Sequence, residues 1–146
     1  MNRVRRVGKW SLVVLVVALL AMQLVPVKRT NPAVETEVPA PIEVRTVLRR
    51  ACYDCHSNET VWPWYSRVAP VSWLVAYDVN HGRAKLNFST WNRRTAAQQA
   101  KAIQKCWEEI KSEEMPPEIY VDRHAAARLS EKDRSVLREW SLAANR

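Results

Sequence analysis

The chain has 146 residues, which is enough for one domain and a short additional segment. Its formal net charge is +8, but residues 1–30 contain six Lys or Arg side chains and no acid, so the remainder carries only 8 − 6 = +2. This distribution argues against a nucleic-acid-binding face on the domain, and the presence of only two glycines argues against a turn-rich β architecture.

The N-terminus combines a basic flank with an apolar run. The basic side chains are Arg3, Arg5, Arg6 and Lys9. The apolar run extends from Trp10 to Val27, 27 − 10 + 1 = 18 residues, which is the lower limit for crossing a bilayer. Because a basic flank favours the cytoplasm, residues 1–27 are predicted to form a single-pass transmembrane anchor. The rest of the chain would then lie on the periplasmic side of a bacterial inner membrane.

A cleaved signal peptide is the alternative for the same segment. Ala21 could precede the cleavage point, but Leu19 fits the −3 position of such a site poorly, which favours an uncleaved anchor. Either interpretation exports the domain from the cytoplasm.

Residues 28–41 contain three prolines and show no periodicity. The prolines are Pro32, Pro39 and Pro41. Such a composition predicts an extended, semi-rigid linker, and the domain is predicted to occupy residues 42–146.

The domain opens with a predicted helix that starts near Glu43. Its apolar residues recur at i, i+3, i+4 and i+7, the pattern of an amphipathic helix. They are Val44, Val47, Leu48 and Ala51. The helix leads directly into the pentapeptide 52–56.

This pentapeptide reads C-x-x-C-H, the pattern typical of covalent attachment of a c-type haem. Two cysteines three residues apart, Cys52 and Cys55, lie on one face of a helical turn, where both thiols can add to one porphyrin edge. His56 follows at once and can bind the iron as the proximal ligand.

Two other chemistries use a C-x-x-C pair. A thioredoxin-like redox pair requires a βαβ context, and no strand pattern precedes Cys52. A zinc site requires a second closely spaced Cys/His pair, whereas Cys106, His81 and His124 are isolated. We interpret Cys106 as a buried small residue, with a reactive thiol as the alternative.

An aromatic segment follows the pentapeptide. Trp62, Trp64 and Tyr65 are predicted to lie in a loop against one face and edge of the haem, because large aromatic side chains exclude water from a porphyrin. A helix is then predicted from Pro70, which suits a first turn, to Gly82, which suits a C-cap.

These segments resemble the bacterial haem-binding domain family of small, exported, membrane-anchored, c-type cytochrome-like proteins. The resemblance extends over residues 42–143, with its most diagnostic part at 52–91. It is carried by Cys52 to Asn58, Trp62 to Ser66, Ala69 to Trp73, Gly82-Arg83, and Leu86 to Ser89 with Trp91. It implies haem attachment at Cys52 and Cys55 and ligation by His56, and it implies no particular redox partner.

Two further helices complete the predicted fold. One starts at Thr95, which forms a capping box with Gln98, and runs to about Ser112. The last begins after Ser130 as N-cap, with Asp133 at the third helical position. The sequence therefore predicts an all-α, cytochrome c-like domain of about four helices around one covalently bound haem.

Met115 is the predicted sixth ligand of the iron. It precedes two prolines, which stiffen the chain beside the sulfur, and thioether ligation raises the reduction potential. The alternatives are His124, then His81, or an open sixth position.

The predicted function is one-electron transfer in the periplasm. Its partners would be an unknown periplasmic or membrane redox protein and the cytochrome c maturation machinery. A haem-based sensor or ligand-binding module with a labile sixth ligand is the alternative function. An enzyme such as a peroxidase is disfavoured, because c-type peroxidases generally carry two haems and this chain has one C-x-x-C-H.

Overall fold

The computed structural model describes residues 2–144, and from residue 6 onward it also describes the side chains. Seven α-helices occupy this part of the chain: α1 (Asn2–Met22), α2 (Ile42–Ala51), α3 (Tyr53–His56), α4 (Val71–Lys85), α5 (Ala96–Lys111), α6 (Glu118–Val121) and α7 (Glu131–Ala143). Short 3-10 helices lie at Trp64–Arg67, Trp91–Arg93 and Ala125–Ala127.

The all-α fold class is confirmed. Among the described residues, β pairing is limited to an isolated bridge between Thr36 and Thr90. The four predicted domain helices correspond to α2, α4, α5 and α7. The cytochrome c-like arrangement of these helices stays a prediction.

Both predicted capping boxes form. The Thr95 hydroxyl accepts a hydrogen bond from Gln98 N at 3.3 Å, and the Gln98 side chain accepts from Thr95 N at 2.9 Å. Ser130 and Asp133 make the same reciprocal pair at 3.2 and 2.8 Å. Each box satisfies two of the free N–H groups at a helix start, so α5 and α7 begin where the sequence predicts.

The chain divides into two compact units. The first unit contains residues up to Arg29 and Trp62–Asp78, and the second contains Thr30–Val61 and the chain from Val79 onward.

In the second unit, α7 packs against both α2 and α5. Their contact faces, together with three aromatic residues, build the main core. Tyr53 stacks on Phe88 at 5.4 Å between ring centroids, and Phe88 stacks on Trp91 at 6.2 Å. The pentapeptide 52–56 therefore begins at the edge of this core, since Cys52 also packs against it.

Residues 30–38, part of the predicted linker, form no helix and pack against the rest of the second unit. Asn58 Nδ2 donates to Ala33 O at 2.8 Å, and Glu35 N donates to Ser89 O at 2.9 Å. Val38 is buried in the main core. These contacts make the segment a strap on the domain.

In the first unit, the end of α1 is joined to the aromatic segment. The Gln23 side-chain amide accepts from Ala69 N at 3.0 Å and donates to Ala69 O at 3.2 Å, while Arg29 donates to Ser66 O at 3.1 Å.

The predicted transmembrane helix is not supported. The apolar run predicted for residues 10–27 is helical only to Met22, where α1 ends. Within the described part of the chain, no helix combines the length and the apolar character needed to cross a membrane.

Candidate functional site

The pentapeptide forms one tight turn at the end of α2; we call residues 52–56 the Cys–His turn. Cys55 N and His56 N both donate to Cys52 O, at 3.2 and 2.9 Å. Cys52 is therefore the N-cap residue of the short helix α3, and Cys55 lies within that helix about one turn later. All three cysteines of the chain are half-buried.

The His56 imidazole is oriented by two backbone carbonyls. Its Nδ1 lies 3.0 Å from Gly82 O and 3.0 Å from Leu86 O. Carbonyl oxygens can only accept, so Nδ1 carries the proton and the lone pair is on Nε2. Burial lowers the pKa of His56, and the two carbonyls only partly oppose this effect. The ring is therefore held as the neutral tautomer that binds a metal through Nε2.

Gly82 allows α4 to lie directly against the Cys–His turn. A Cβ atom at this position would come within 2.6 Å of Cys55 O and 3.2 Å of Cys55 Cβ. The prediction that Gly82 ends the helix is wrong, because α4 continues to Lys85. The glycine at position 82 allows α4 to approach Cys55 closely, and its carbonyl is one of the two that orient His56.

Asp54, inside the turn, fixes two neighbouring segments. Its carboxylate accepts from Val61 N at 2.9 Å and from the Tyr120 hydroxyl at 2.7 Å. Its backbone carbonyl accepts from the Thr60 hydroxyl at 2.7 Å. Burial and the hydrogen bond to Asp54 raise the pKa of Tyr120 well above its ordinary value. Sequence reasoning missed this pair, because the two residues are 66 positions apart and match no motif.

Arg83 holds the strap beside the same turn. Its guanidinium donates to Ser57 O at 2.7 Å, to Thr30 O at 2.7 Å and to the Thr60 hydroxyl at 2.8 Å, and it also reaches the Asn31 side chain at 3.1 Å. These acceptors all belong to the chain itself.

Met115 lies in the loop between α5 and α6. Its backbone N–H donates to Glu109 O at 3.1 Å, and its side chain is 37% exposed. Five residues further on, Tyr120 connects the same segment to Asp54. The structure therefore links the Met115 segment to the Cys–His turn through Tyr120, while Met115 itself is partly exposed.

The two alternative histidine ligands have different surroundings. The His124 ring stacks on Tyr120 with 4.2 Å between centroids, and its Nδ1 lies 3.1 Å from Tyr120 O. His81 is exposed on α4.

Trp62, Trp64 and Tyr65 belong to the first unit, whereas the Cys–His turn and Met115 belong to the second. Trp64 packs edge-on against Tyr65 at 5.8 Å and is 77% exposed. Their predicted contact with haem stays a prediction.

Cys106 is half-buried on α5 and packs against the main core. Burial raises the pKa of its thiol to about 12. This environment fits the interpretation of Cys106 as a small packing residue, because a thiol with so high a pKa stays protonated and inert at neutral pH.

The fold and the Cys–His turn define a small α-helical protein in which His56 is oriented so that its Nε2 atom can bind a metal. The family model for the haem-binding domain matches residues 17–143. The chain therefore belongs to the haem-binding domain family, and haem is its cofactor. Neither the curated proteins nor the solved structures contain a significant match to this chain.

The residues of the Cys–His turn fit a haem. A haem iron receives four nitrogens from the porphyrin and requires at most two ligands from the protein, and His56 offers one of them. Within the described residues there is no cluster of three or more His, Cys, Asp or Glu side chains that could hold a metal ion without a porphyrin.

Proposed function

We propose that this protein is a one-electron carrier with a single haem attached covalently at Cys52 and Cys55, with His56 as the proximal ligand. The observation that carries the proposal is the double hydrogen bond from His56 Nδ1 to two carbonyls, next to two thiols at C-x-x-C spacing. A haem bound there supplies the Fe(III)/Fe(II) couple.

The chain's own residues have three tasks in this proposal. The carbonyls of Gly82 and Leu86 hold the imidazole in one orientation and one tautomer, which limits the rearrangement that accompanies a change of charge on the iron. The thiols of Cys52 and Cys55 would hold the porphyrin edge. Met115 would supply the second protein ligand of the iron, and its thioether would favour the ferrous state.

The environment of Cys52 disfavours the thiol–disulfide alternative. Burial raises the pKa of this thiol to about 12, whereas exchange requires a thiolate and proceeds best when the pKa is near the ambient pH. A neutral thiol is compatible with addition to a vinyl group by a dedicated maturation system.

Because c-type haem is attached outside the bacterial cytoplasm, the proposal also places the protein there. Its partners would be cytochrome c maturation proteins and an extracytoplasmic redox protein.

The test is an optical and denaturing analysis of the full chain, produced in a host with cytochrome c maturation proteins. We expect haem that stays with the polypeptide on a denaturing gel and a c-type pyridine haemochrome. Replacement of both cysteines by alanine should abolish the covalent haem, while Cys106→Ala, the matched control, should retain it. Haem that dissociates from the wild-type chain on denaturation would contradict covalent attachment.

A second candidate function is a haem-based sensor with a labile sixth ligand. The exposure of Met115 favours it, because a thioether in contact with solvent can be displaced by a small ligand. The two functions differ in the ferric spectrum: a stable Met–iron bond gives a weak far-red charge-transfer band, and a labile one gives a spectrum that changes when imidazole or cyanide is added at low concentration.

A further inference from the structure

Helix α4 has an unusual distribution of side-chain size in the first unit. Its small residues, Ser72 and Ala76, are buried, while Leu74 is 53% exposed and Tyr77 is 64% exposed. An ordinary surface helix buries its large apolar residues. Trp73 and Val75 follow this rule and are half-buried, whereas Leu74 and Tyr77 leave an apolar face of the first unit open to a partner.

The exposed face continues into the aromatic segment; we call the whole set the aromatic stripe. It consists of Trp64, Val68, Val71, Leu74 and Tyr77, all exposed. The members on α4 are three residues apart and share one broad side of the helix.

The aromatic stripe is fixed beside the C-terminal end of α1. The two hydrogen bonds between Gln23 and Ala69, and the one from Arg29 to Ser66, connect these two parts of the first unit. The end of α1 is itself apolar and open, since Leu20 is 64% exposed and Leu24 is 84% exposed. One contiguous element therefore joins an apolar helix end to a Trp and Tyr surface.

The charge of the first unit complements an anionic surface. This unit contains seven Lys or Arg residues and one acid, Asp78, so its net charge is 7 − 1 = +6, and the second unit carries the remaining 8 − 6 = +2. Four of these basic residues precede residue 10, at the far end of α1, and the other three, Lys28, Arg29 and Arg67, belong to or directly adjoin in sequence the pair joined by the Arg29–Ser66 hydrogen bond. Apolar side chains, interfacial Trp and Tyr, and nearby positive charge are the combination that binds the boundary between acyl chains and anionic headgroups.

We propose that the aromatic stripe and the end of α1 form one lipid-contacting surface that holds the first unit on an anionic membrane. This deepens the extracytoplasmic location proposed above, requires no helix to cross the bilayer, and does not depend on haem. The occupant is the lipid interface, with a second copy of the chain or the haem itself as the competing possibilities.

The test is photo-crosslinking of the full chain in vesicles of phosphatidylcholine and phosphatidylglycerol. We would place p-benzoylphenylalanine at Leu74 and, as the matched control, at Leu142 of α7, which is 55% exposed on the second unit. The expected result is a several-fold higher yield of phospholipid adduct at position 74, reduced when phosphatidylcholine is the only lipid.

Three outcomes would overturn the proposal. Equal lipid adducts at both positions would mean that the stripe has no preference for the membrane. A crosslinked dimer at position 74 would identify a second copy as the occupant, and a haem adduct would place the stripe on the cofactor. The haem content of the same samples reports separately on the proposed function, so the failure of either proposal can be recognised.

Discussion

The Cys–His turn and the segment 113–130, which begins with the Met115 loop, lie in the same unit but are held very differently. In the turn, His56 is fixed by two carbonyls, Asp54 accepts three hydrogen bonds, and α4 lies against Cys55 with no room for a Cβ. Met115 is held by a backbone hydrogen bond and has an exposed thioether. On the His56 side of the proposed haem site the residues are therefore held in place by several contacts, whereas on the Met115 side fewer contacts restrain the chain.

The attachment of segment 113–130 increases along its length. Tyr120 connects its middle to Asp54, and Arg50 fixes its end by donating to Arg128 O at 3.1 Å. The same guanidinium pairs at 2.8 Å with Asp133, three residues beyond the segment in α7. The start of this segment could therefore move without disturbing the core. The following variants test the difference between the Cys–His turn and segment 113–130, from the largest expected effect to the smallest.

Replacement of Gly82 by alanine should have the largest effect. The new Cβ would lie 2.6 Å from the backbone oxygen of Cys55, which cannot rotate away, so the cost should reach about 3 kcal/mol or more, the upper end for overpacking. We expect a lower midpoint in chemical denaturation and reduced haem content. Gly8→Ala is the matched control, because nothing lies within 4 Å of its Cβ position. If the two variants behave alike, α4 does not press on the turn.

Loss of the Tyr120–Asp54 hydrogen bond should have the second largest effect on the free energy of unfolding. Hydrogen bonds to a charged partner contribute about 1.5–3 kcal/mol, so Tyr120→Phe should destabilise the domain by that order. A double-mutant cycle with Asp54→Asn isolates the pair. The two changes should be clearly non-additive in the free energy of unfolding. Simple additivity would show that the middle of segment 113–130 is held by packing alone.

The sequence predicted the four long helices of the domain, since periodicity and capping residues act over about four positions, while the roles of Cys52, Cys55 and His56 stay predictions. The sequence was not sufficient for the contacts that orient these residues. The carbonyls of Gly82 and Leu86 come from backbone atoms, which leave no trace in residue type. Gly82 itself has two physical explanations, a C-cap and a close approach, and only the packing of α4 distinguishes them. The strap at residues 30–38 was predicted as extended, but its partners lie in distant loops.

The anchor at the end of segment 113–130 depends on a carboxylate. Burial alone would raise the pKa of Asp133, but hydrogen bonds from Ser130 and the Arg50 guanidinium outweigh it, so the pKa is lowered. A carboxyl with a lowered pKa stabilises the fold above its unfolded pKa of about 4 and loses this effect as the pH falls through the folded value.

Asp133→Asn should therefore cost about 0.5–1 kcal/mol at neutral pH, as expected for a partly exposed ion pair. The difference from wild type should shrink below about pH 4, where the native carboxyl also becomes neutral. Thermal unfolding across this range measures it. Glu131→Gln, an exposed change in the same first turn, is the matched control, because it removes a carboxylate there and leaves the Arg50–Asp133 ion pair in place. A pH-independent difference for Asp133→Asn would mean that its charge is irrelevant to the anchor.

Met115→Ala should have the smallest effect on stability and the largest on the spectrum. Because the side chain is 37% exposed, its removal should change the free energy of unfolding by less than about 0.5 kcal/mol. The ferric far-red band should nevertheless disappear, and the reduction potential should fall, since loss of a thioether ligand removes its preference for ferrous iron. Ile119→Ala, at a position 70% exposed in the same segment, controls for general loosening and should leave both the stability and the spectrum unchanged.

Two outcomes would contradict this prediction. If Met115→Ala destabilises the protein by more than about 1 kcal/mol, as a core truncation does, Met115 is a packing residue and its segment is held as firmly as the Cys–His turn. Should neither stability nor spectrum change, the iron has another distal ligand, and His124, which stacks on Tyr120, becomes the residue to replace next.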